Sequence, residues 1–309
     1  MEREATTLQA PAIVQLRTQR QRLWHTFSRN RTALVGLVLI ILIALTAVFA
    51  DDWFIAAVQG RKADQLLSPF DPTKQDTRSR LQPPDNTHLM GLDTYGRDMA
   101  SRIIHGARVS LMVGLLSTLA AGVLGTLLGL TAGYSGGKVE DAIMRGVDAL
   151  MAFPSMIMGL VVLAVLGPGI TKMIIAIGIM LSPAFARITH STTLSIKETD
   201  YVLAARSIGV GRLRMVRAHI LPNVLGEVIV LASIYTATAI RVEANLSFIG
   251  LGVAPPTPAW GTMIRDGMQY LTIAPHVSIF PGLAILITVL AFNLLGDGMR
   301  DIMDPKSYS

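Results

Sequence analysis

Few residues in this chain have the types and spacing that support chemistry, and those few lack partners. Ala132–Val139 reads AGYSGGKV. A phosphate-cradling loop needs G-x-x-x-x-G-K-[ST], so that backbone amides and a lysine close on the phosphates while a hydroxyl holds magnesium. Here Ala132 stands at the first glycine position and Val139 follows Gly137-Lys138, so the motif fails at both ends. His88, Asp93 and Asp98 bring metal-ligating groups, but one histidine among scattered aspartates reads as loop hydrogen bonding rather than a metal site. There is no H-E-x-x-H pair and no cysteine, which removes the zinc-protease and disulfide readings. No catalytic, metal or cofactor site is expected on this chain. What remains is a set of polar residues inside apolar runs: Arg241, Glu243, Asn245 and Asn293. Such groups are costly at membrane depth and mark either an internal contact or a substrate route. Arg241 and Glu243, two apart, do not share a helix face and need different partners. Their place late in an apolar run puts them near a surface where side chains reach water. Both roles stay open.

The elements that hold these residues are membrane helices. Of the 309 residues 51% are hydrophobic and only 16% charged, with a mean hydropathy of +0.50; soluble domains carry about 25% charged residues. A helical crossing takes roughly 20 apolar residues. Six runs qualify, at 32–50, 108–133, 146–167, 171–187, 224–246 and 277–296. The run at 171–187 is short and contains Pro183. The first is longer than the apolar core of a signal peptide and ends in Ala-Asp-Asp-Trp, which fits an uncleaved anchor. The net charge of +6 lies between the runs rather than on a soluble face, so it fits cytoplasmic loops better than nucleic acid. Arginines before the first run, Lys138 and Arg145, and five basic residues from Lys197 to Arg217 place both termini on the cytoplasmic side.

The expected organisation follows. Residues 1–31 form a cytoplasmic arm whose LWHTFSRNR stretch suits a helix lying on anionic lipid. Residues 32–50 cross the membrane, 51–107 form an external loop rich in Pro, Asp and Gly, 108–296 form a five-helix core, and 297–309 are a cytoplasmic tail. Ser110, Gly114, Thr118 and Gly122, then Gly125, Gly129 and Gly133, make small-residue stripes that let a neighbouring backbone approach. Pro154 and Pro183 bend or break their helices.

Within the core, the 191–222 loop is unusual. Its stretch YVLAARSIGVGRLRMVRAHILPNVL carries Arg206, Arg212, Arg214 and Arg217 among apolar residues. Ser195-x-x-Glu198 and Thr199-Asp200 are helix-start signals. A short helix from Tyr201 stops near Gly209, which takes the positive φ of a C-terminal cap. A second helix after Gly211 would present Leu213, Val216, Arg217 and Ile220 on one side, with Pro222 as the boundary of the next span. Two short helices with basic and apolar side chains form a docking element. A DNA-reading helix-turn-helix is disfavoured by its tether to a bilayer.

Ala204-Ala205, Gly209 and Ile220-Leu221-Pro222 resemble the "EAA" loop of permease subunits of ABC importers, with Leu203 where that motif has glutamate. GLDTYGRDMASR (91–102), EANLSFIGLG (243–252), PPTPAWG (255–261) and NLLGDGMRDIMDP (293–305) are similar to the dipeptide/oligopeptide/nickel permeases of that class, most of all to their second, C-type subunit. The resemblance covers most of the chain from about Leu23 onward. It implies an all-α integral membrane protein of six transmembrane helices with the type I ABC importer permease fold, in a bacterial cytoplasmic membrane. It also implies a non-catalytic subunit moving di- and oligopeptides by alternating access, with nickel or glutathione as alternative cargo. The implied partners are a homologous second permease, two ATP-binding subunits that hold ATP and magnesium, an external substrate-binding protein and membrane lipid, with no nucleic acid. Ala204, Ala205, Arg206, Gly209, Gly211, Leu213, Leu221 and Pro222 would form the ATPase-coupling loop. A gradient-driven transporter is the reading of another class; it expects inverted repeats and ionisable groups near mid-bilayer, neither of which is clear in this sequence.

Overall fold

The computed structural model describes residues 30–51 and 66–303, without the side chains of 302 and 303. The arm before residue 30, with its expected surface helix, lies outside the described residues, as does the tail beyond 303. Among the described residues the regular structure is helical: α1 Arg31–Val48, α2 Met99–Ser135, α3 Gly137–Ala152, α4 Ser155–Leu166, α5 Ile170–Lys197, α6 Asp200–Ser207, α7 Arg212–Met215, α8 Leu221–Ile249, α9 Trp260–Gly267 and α10 His276–Met303. Among the described residues five helical stretches are long and apolar enough to cross a membrane, and α3 with α4 makes a sixth if that bent pair is one span.

Several boundaries differ from those expected. The run at 146–167 is not one straight helix: α3 and α4 meet at 96°. Pro154 disfavours helical geometry at the residue before it, and Phe153 is extended at ψ 136°. The loop expected to reach residue 107 ends at Asp98, which caps α2 by accepting hydrogen bonds from the Ser101 amide (2.8 Å) and hydroxyl (2.6 Å). At 37 residues α2 is about 55 Å long, well beyond a hydrocarbon core of about 30 Å. Hydropathy registers only its apolar middle. In the same way α5 runs ten residues past Arg187 to Lys197, Pro183 sits inside it without ending it, and α10 continues through the start of the expected tail.

The small-residue stripes divide between two neighbours. A Cβ on Gly125 would lie 2.5 Å from the Phe185 Cβ, on Gly129 2.7 Å from the Thr189 Cβ, and on Gly133 2.8 Å from the Thr193 Cβ. This row lets α2 lie directly against α5. Higher on α2, Gly114 meets Ile240 and Ser110 meets Glu243, both on α8. The core between these helices contains Val113, Ala121, Ile177, Phe185, Ala239 and Leu246, all buried. The first span packs on the last: Gly36 lies against Ala291 and Leu295, and Gly298 against Ala33. One end of the bundle carries α6 and α7. At the other, the 66–98 segment is pinned by Asp93, which accepts from Arg97 Nε at 2.6 Å, and by Leu92, whose carbonyl faces His276 Nε2 at 3.2 Å.

Candidate coupling site

The segment between α5 and α8 is built by local capping. Thr199 is extended (φ −74°, ψ 146°) and starts α6, with Asp200 in the first turn, where a carboxylate favours the helix dipole. At the other end the Val210 amide donates to the Ala205 carbonyl (3.2 Å) and the Gly209 amide to that of Arg206 (3.0 Å), around Gly209 at φ +82°. These two bonds are the Schellman arrangement that glycine allows without strain. The sequence reading of a short helix stopped at Gly209 matches this geometry. Gly211, by contrast, has φ −64° and begins α7 in extended form.

The second half departs from expectation. There is no break at Pro222. Residues 212–249 run as one continuous helix in which Val216–Ile220 form a wider π turn, with the Leu221 amide bonded to the Val216 carbonyl. Proline removes a helical donor and crowds the carbonyl four residues back, and a π turn is one way a helix absorbs that crowding. Asn223 adds a side-chain bond, donating Nδ2 to the His219 carbonyl (2.7 Å) and to the Tyr201 hydroxyl (3.2 Å), which ties α6 to α8. The π turn also shifts the helical phase. Met215 and Ile220 turn inward, while Leu213 and Arg217 are exposed, so the face expected from Leu213, Val216, Arg217 and Ile220 is not shared.

The residues expected to form the coupling loop therefore divide. Ala205 is buried and, with Val202, seats α6 on the bundle. Leu221 is half-buried, and Ala204, Arg206, Gly209, Gly211, Leu213 and Pro222 are exposed. Leu203 is exposed as well, and Ile208 projects furthest at 83% exposure. Ile208 was missed in the sequence; its position next to the capping glycine was the signal. The result is a small helix with a fixed apolar underside and an outward rim of Arg206, Ile208, Leu213 and Arg214.

The polar residues within spans also separate. Glu243 does not reach water. It is fully buried, accepting from Ser110 Oγ (3.0 Å) on α2 and from Ser247 Oγ (2.8 Å) one turn along α8. Arg241, Asn245 and Asn293 are exposed and make no hydrogen bond among the described residues. Arg187 on α5 and Asp148 on α3, both about half exposed, form an ion pair at 2.5 Å that no sequence pattern announces.

The phosphate-like stretch and the metal-like residues have structural roles. Gly136 and Gly137, at φ +71° and +56°, make the turn from α2 into α3. His88 Nδ1 lies 2.9 Å from Asp98, and Asp93 is engaged by Arg97 and Arg102. In the same segment the His88 amide holds the Asp85 carboxyl below its ordinary range.

Residues 125–307 match the family described as binding-protein-dependent transport system inner membrane component, and residues 18–84 match the N-terminal TM domain of oligopeptide transport permease C. The chain is 41% identical to the di/tripeptide transport system permease protein DppC of Pseudomonas aeruginosa (strain UCBPP-PA14), over 92% of this chain and 91% of that protein. It is 39% identical to the glutathione transport system permease protein GsiD of Pectobacterium atrosepticum, over 95% and 93%. Among solved structures, an inward-facing conformation of the MetNI methionine ABC transporter aligns with a TM-score of 0.54 at 21% identity, covering 67% of this chain and 98% of that one. That likeness is one of fold, the type I importer permease fold. The chain belongs to the inner membrane components of binding-protein-dependent transport systems, as a multi-pass, non-catalytic permease subunit of the peptide-transporter branch.

Proposed function

We propose that this subunit forms half of the translocation route of an ATP-driven importer of di- and tripeptides, with α6 as the element through which two ATPase subunits act. The observation that carries the coupling role is the construction of α6. It starts at an extended Thr199, closes on the Gly209 cap and is anchored by Val202 and Ala205, while it and α7 present Arg206, Ile208 and Leu213 outward. A push on that rim reaches α8 through the tie from Tyr201 to Asn223 without first unfolding a loop. ATP and magnesium belong to the partner subunits in this reading. The basic residues of Lys197–Arg217 support a cytoplasmic position for α6 and for both termini. The 66–98 segment and α9 then face the binding protein.

Arg241, Asn245 and Asn293 are placed along the aqueous route between this subunit and a homologous permease, because exposed polar groups on membrane helices seek water. Glu243 is assigned an interhelical role instead. Similar identity to a glutathione permease supports a tripeptide-sized cargo, glutathione itself being a tripeptide, over a metal ion. The test is uptake by the full complex in proteoliposomes, with labelled dipeptide, glutathione and nickel offered in turn. ATP-dependent uptake of the peptides is expected. Uptake of nickel alone, or peptide transport without ATP, overturns the proposal.

A further inference from the structure

A groove of about 910 Å³ opens between the end of α2 and the α6–α7 segment. Leu127, Tyr134 and Val139 line one side, and Lys197, Arg206 and Arg212 supply its charge. Among the described residues no carboxylate lines it. The nearby Glu140 is occupied by His190 at 2.7 Å. Among the described residues none of the three cations makes an ion pair; Lys197 has only a long bond to the Gly133 carbonyl, 3.4 Å. The groove also continues onto an exposed apolar face of α2. Leu116, Leu119, Val123 and Leu127 follow one another at helical spacing on α2 and are all exposed. An apolar stripe thus runs along the membrane-spanning part of α2 and ends among three uncompensated cations where the helix leaves the bilayer.

We infer that this groove is a binding site for an anionic phospholipid, its phosphate held by Lys197, Arg206 and Arg212 and an acyl chain lying along Leu127, Val123 and Leu119. The volume is that of an ordinary small-molecule site. A free phosphate would use the cations but leave the stripe without a role; a zwitterionic lipid would use the stripe but bring no net charge. A bound lipid would brace the underside of α6, which this site shares through Val202. The inference goes beyond the coupling proposal and needs only that the chain spans a membrane.

The test is native mass spectrometry of the purified full-length chain, titrated with phosphatidylglycerol, phosphatidylcholine of the same acyl chains, and inorganic phosphate. Phosphatidylglycerol adducts are expected at concentrations at least tenfold below those needed for phosphatidylcholine, and inorganic phosphate is expected not to displace them. Lys197→Gln with Arg212→Gln should weaken phosphatidylglycerol binding about 25-fold and leave phosphatidylcholine unchanged, since one basic side chain near an anionic lipid surface contributes about fivefold (about 1 kcal/mol). Lys197→Arg with Arg212→Lys keeps the charge and should keep the binding, which separates a charge effect from misfolding. The apolar arm of the site is read with Leu127→Asp, which should weaken both lipids. Equal binding of the two lipids, an undiminished phosphatidylglycerol adduct in the Gln variant, or ready displacement by phosphate overturns the inference.

Discussion

Ser110 on α2 donates a 3.0 Å hydrogen bond to Glu243 on α8, joining two membrane helices at a point closed to solvent. Ser247 supplies the second contact to the same carboxyl. Glu243→Gln keeps an acceptor oxygen and should leave the thermal midpoint of the detergent-purified chain within a few degrees of the parent. Glu243→Leu strands both serine hydroxyls and should destabilise by about 1–3 kcal/mol. Ser110→Ala should cost less, about 0.6 kcal/mol, the average for such interhelical bonds in a membrane protein. A Leu variant as stable as the parent would remove Glu243 from the role given to it.

The cap at Gly209 makes a sharper prediction for coupling. Gly209 has φ +82°, which proline, fixed near −65°, does not adopt. Gly209→Pro should therefore detach α6 from its cap and abolish uptake while the chain still inserts and assembles. Gly209→Asn, which tolerates the left-handed region, should retain most uptake. Ala205→Asp places a carboxylate in the buried underside of α6 and should behave like the proline variant. The measurement is ATP hydrolysis beside uptake in the reconstituted complex: continued hydrolysis without uptake is expected, and unimpaired uptake in Gly209→Pro contradicts the coupling role.

Contact between α2 and α5 depends on absent side chains. Gly129→Leu has no room, with Thr189 Cβ 2.7 Å from a Cβ at that site, and should prevent native packing or lower the midpoint by many degrees. Thr189→Val keeps the shape and removes a buried hydroxyl that has no partner among the described residues. It should be neutral or slightly stabilising. Thermal unfolding of the two variants checks both; a strongly destabilised Thr189→Val would show that its hydroxyl does more than fill space.

Acid stability of the 66–98 segment is set in part by Asp71. The Thr73 hydroxyl and amide, at 2.6 and 2.7 Å, hold the Asp71 carboxyl below its ordinary range. A carboxyl with a depressed folded pKa stabilises above its unfolded value, about 3.9, and that contribution disappears as pH falls through the lower folded value. Hydrogen exchange in this segment should rise as pH is lowered through that window, after correction for intrinsic rates. Asp71→Asn should flatten the change; an identical profile would place the acid sensitivity elsewhere.

Much of this was legible in the sequence because the bilayer imposes few solutions. The apolar runs located the spans, and the Thr199–Asp200 start with Gly209 as stop gave α6 almost residue for residue. Where sequence reasoning fell short, the cause was three-dimensional. Helices α2 and α5 outrun their apolar cores because the extra turns pack on protein, the start of α2 being buried and α5 keeping contact with α2 through Thr189 and Thr193, which hydropathy does not register. Pro222 looked like a boundary because its cost is visible in sequence, whereas the π turn that absorbs it is not. Glu243 and Arg241 looked alike, two charges in one run. Only packing shows that one is enclosed by α2 and the other left exposed.

Arg241 offers the most direct test of the proposed route. It lies eight residues before the end of α8, about 12 Å along the helix, and has no polar partner among the described residues. A charged side chain facing lipid at depth costs about 2.5–3.5 kcal/mol near the bilayer centre and less towards the surface. If Arg241 faced lipid, Arg241→Leu would stabilise the chain by an appreciable part of that amount. If it lines an aqueous path, the same change should leave stability nearly unaltered, lower peptide uptake several-fold and spare basal ATP hydrolysis. Asn245→Leu, one turn further along the same face, should show the same pattern more weakly. Thermal unfolding and uptake measured on the same preparations decide the matter: a clear gain in stability with unchanged uptake would move Arg241 out of the route.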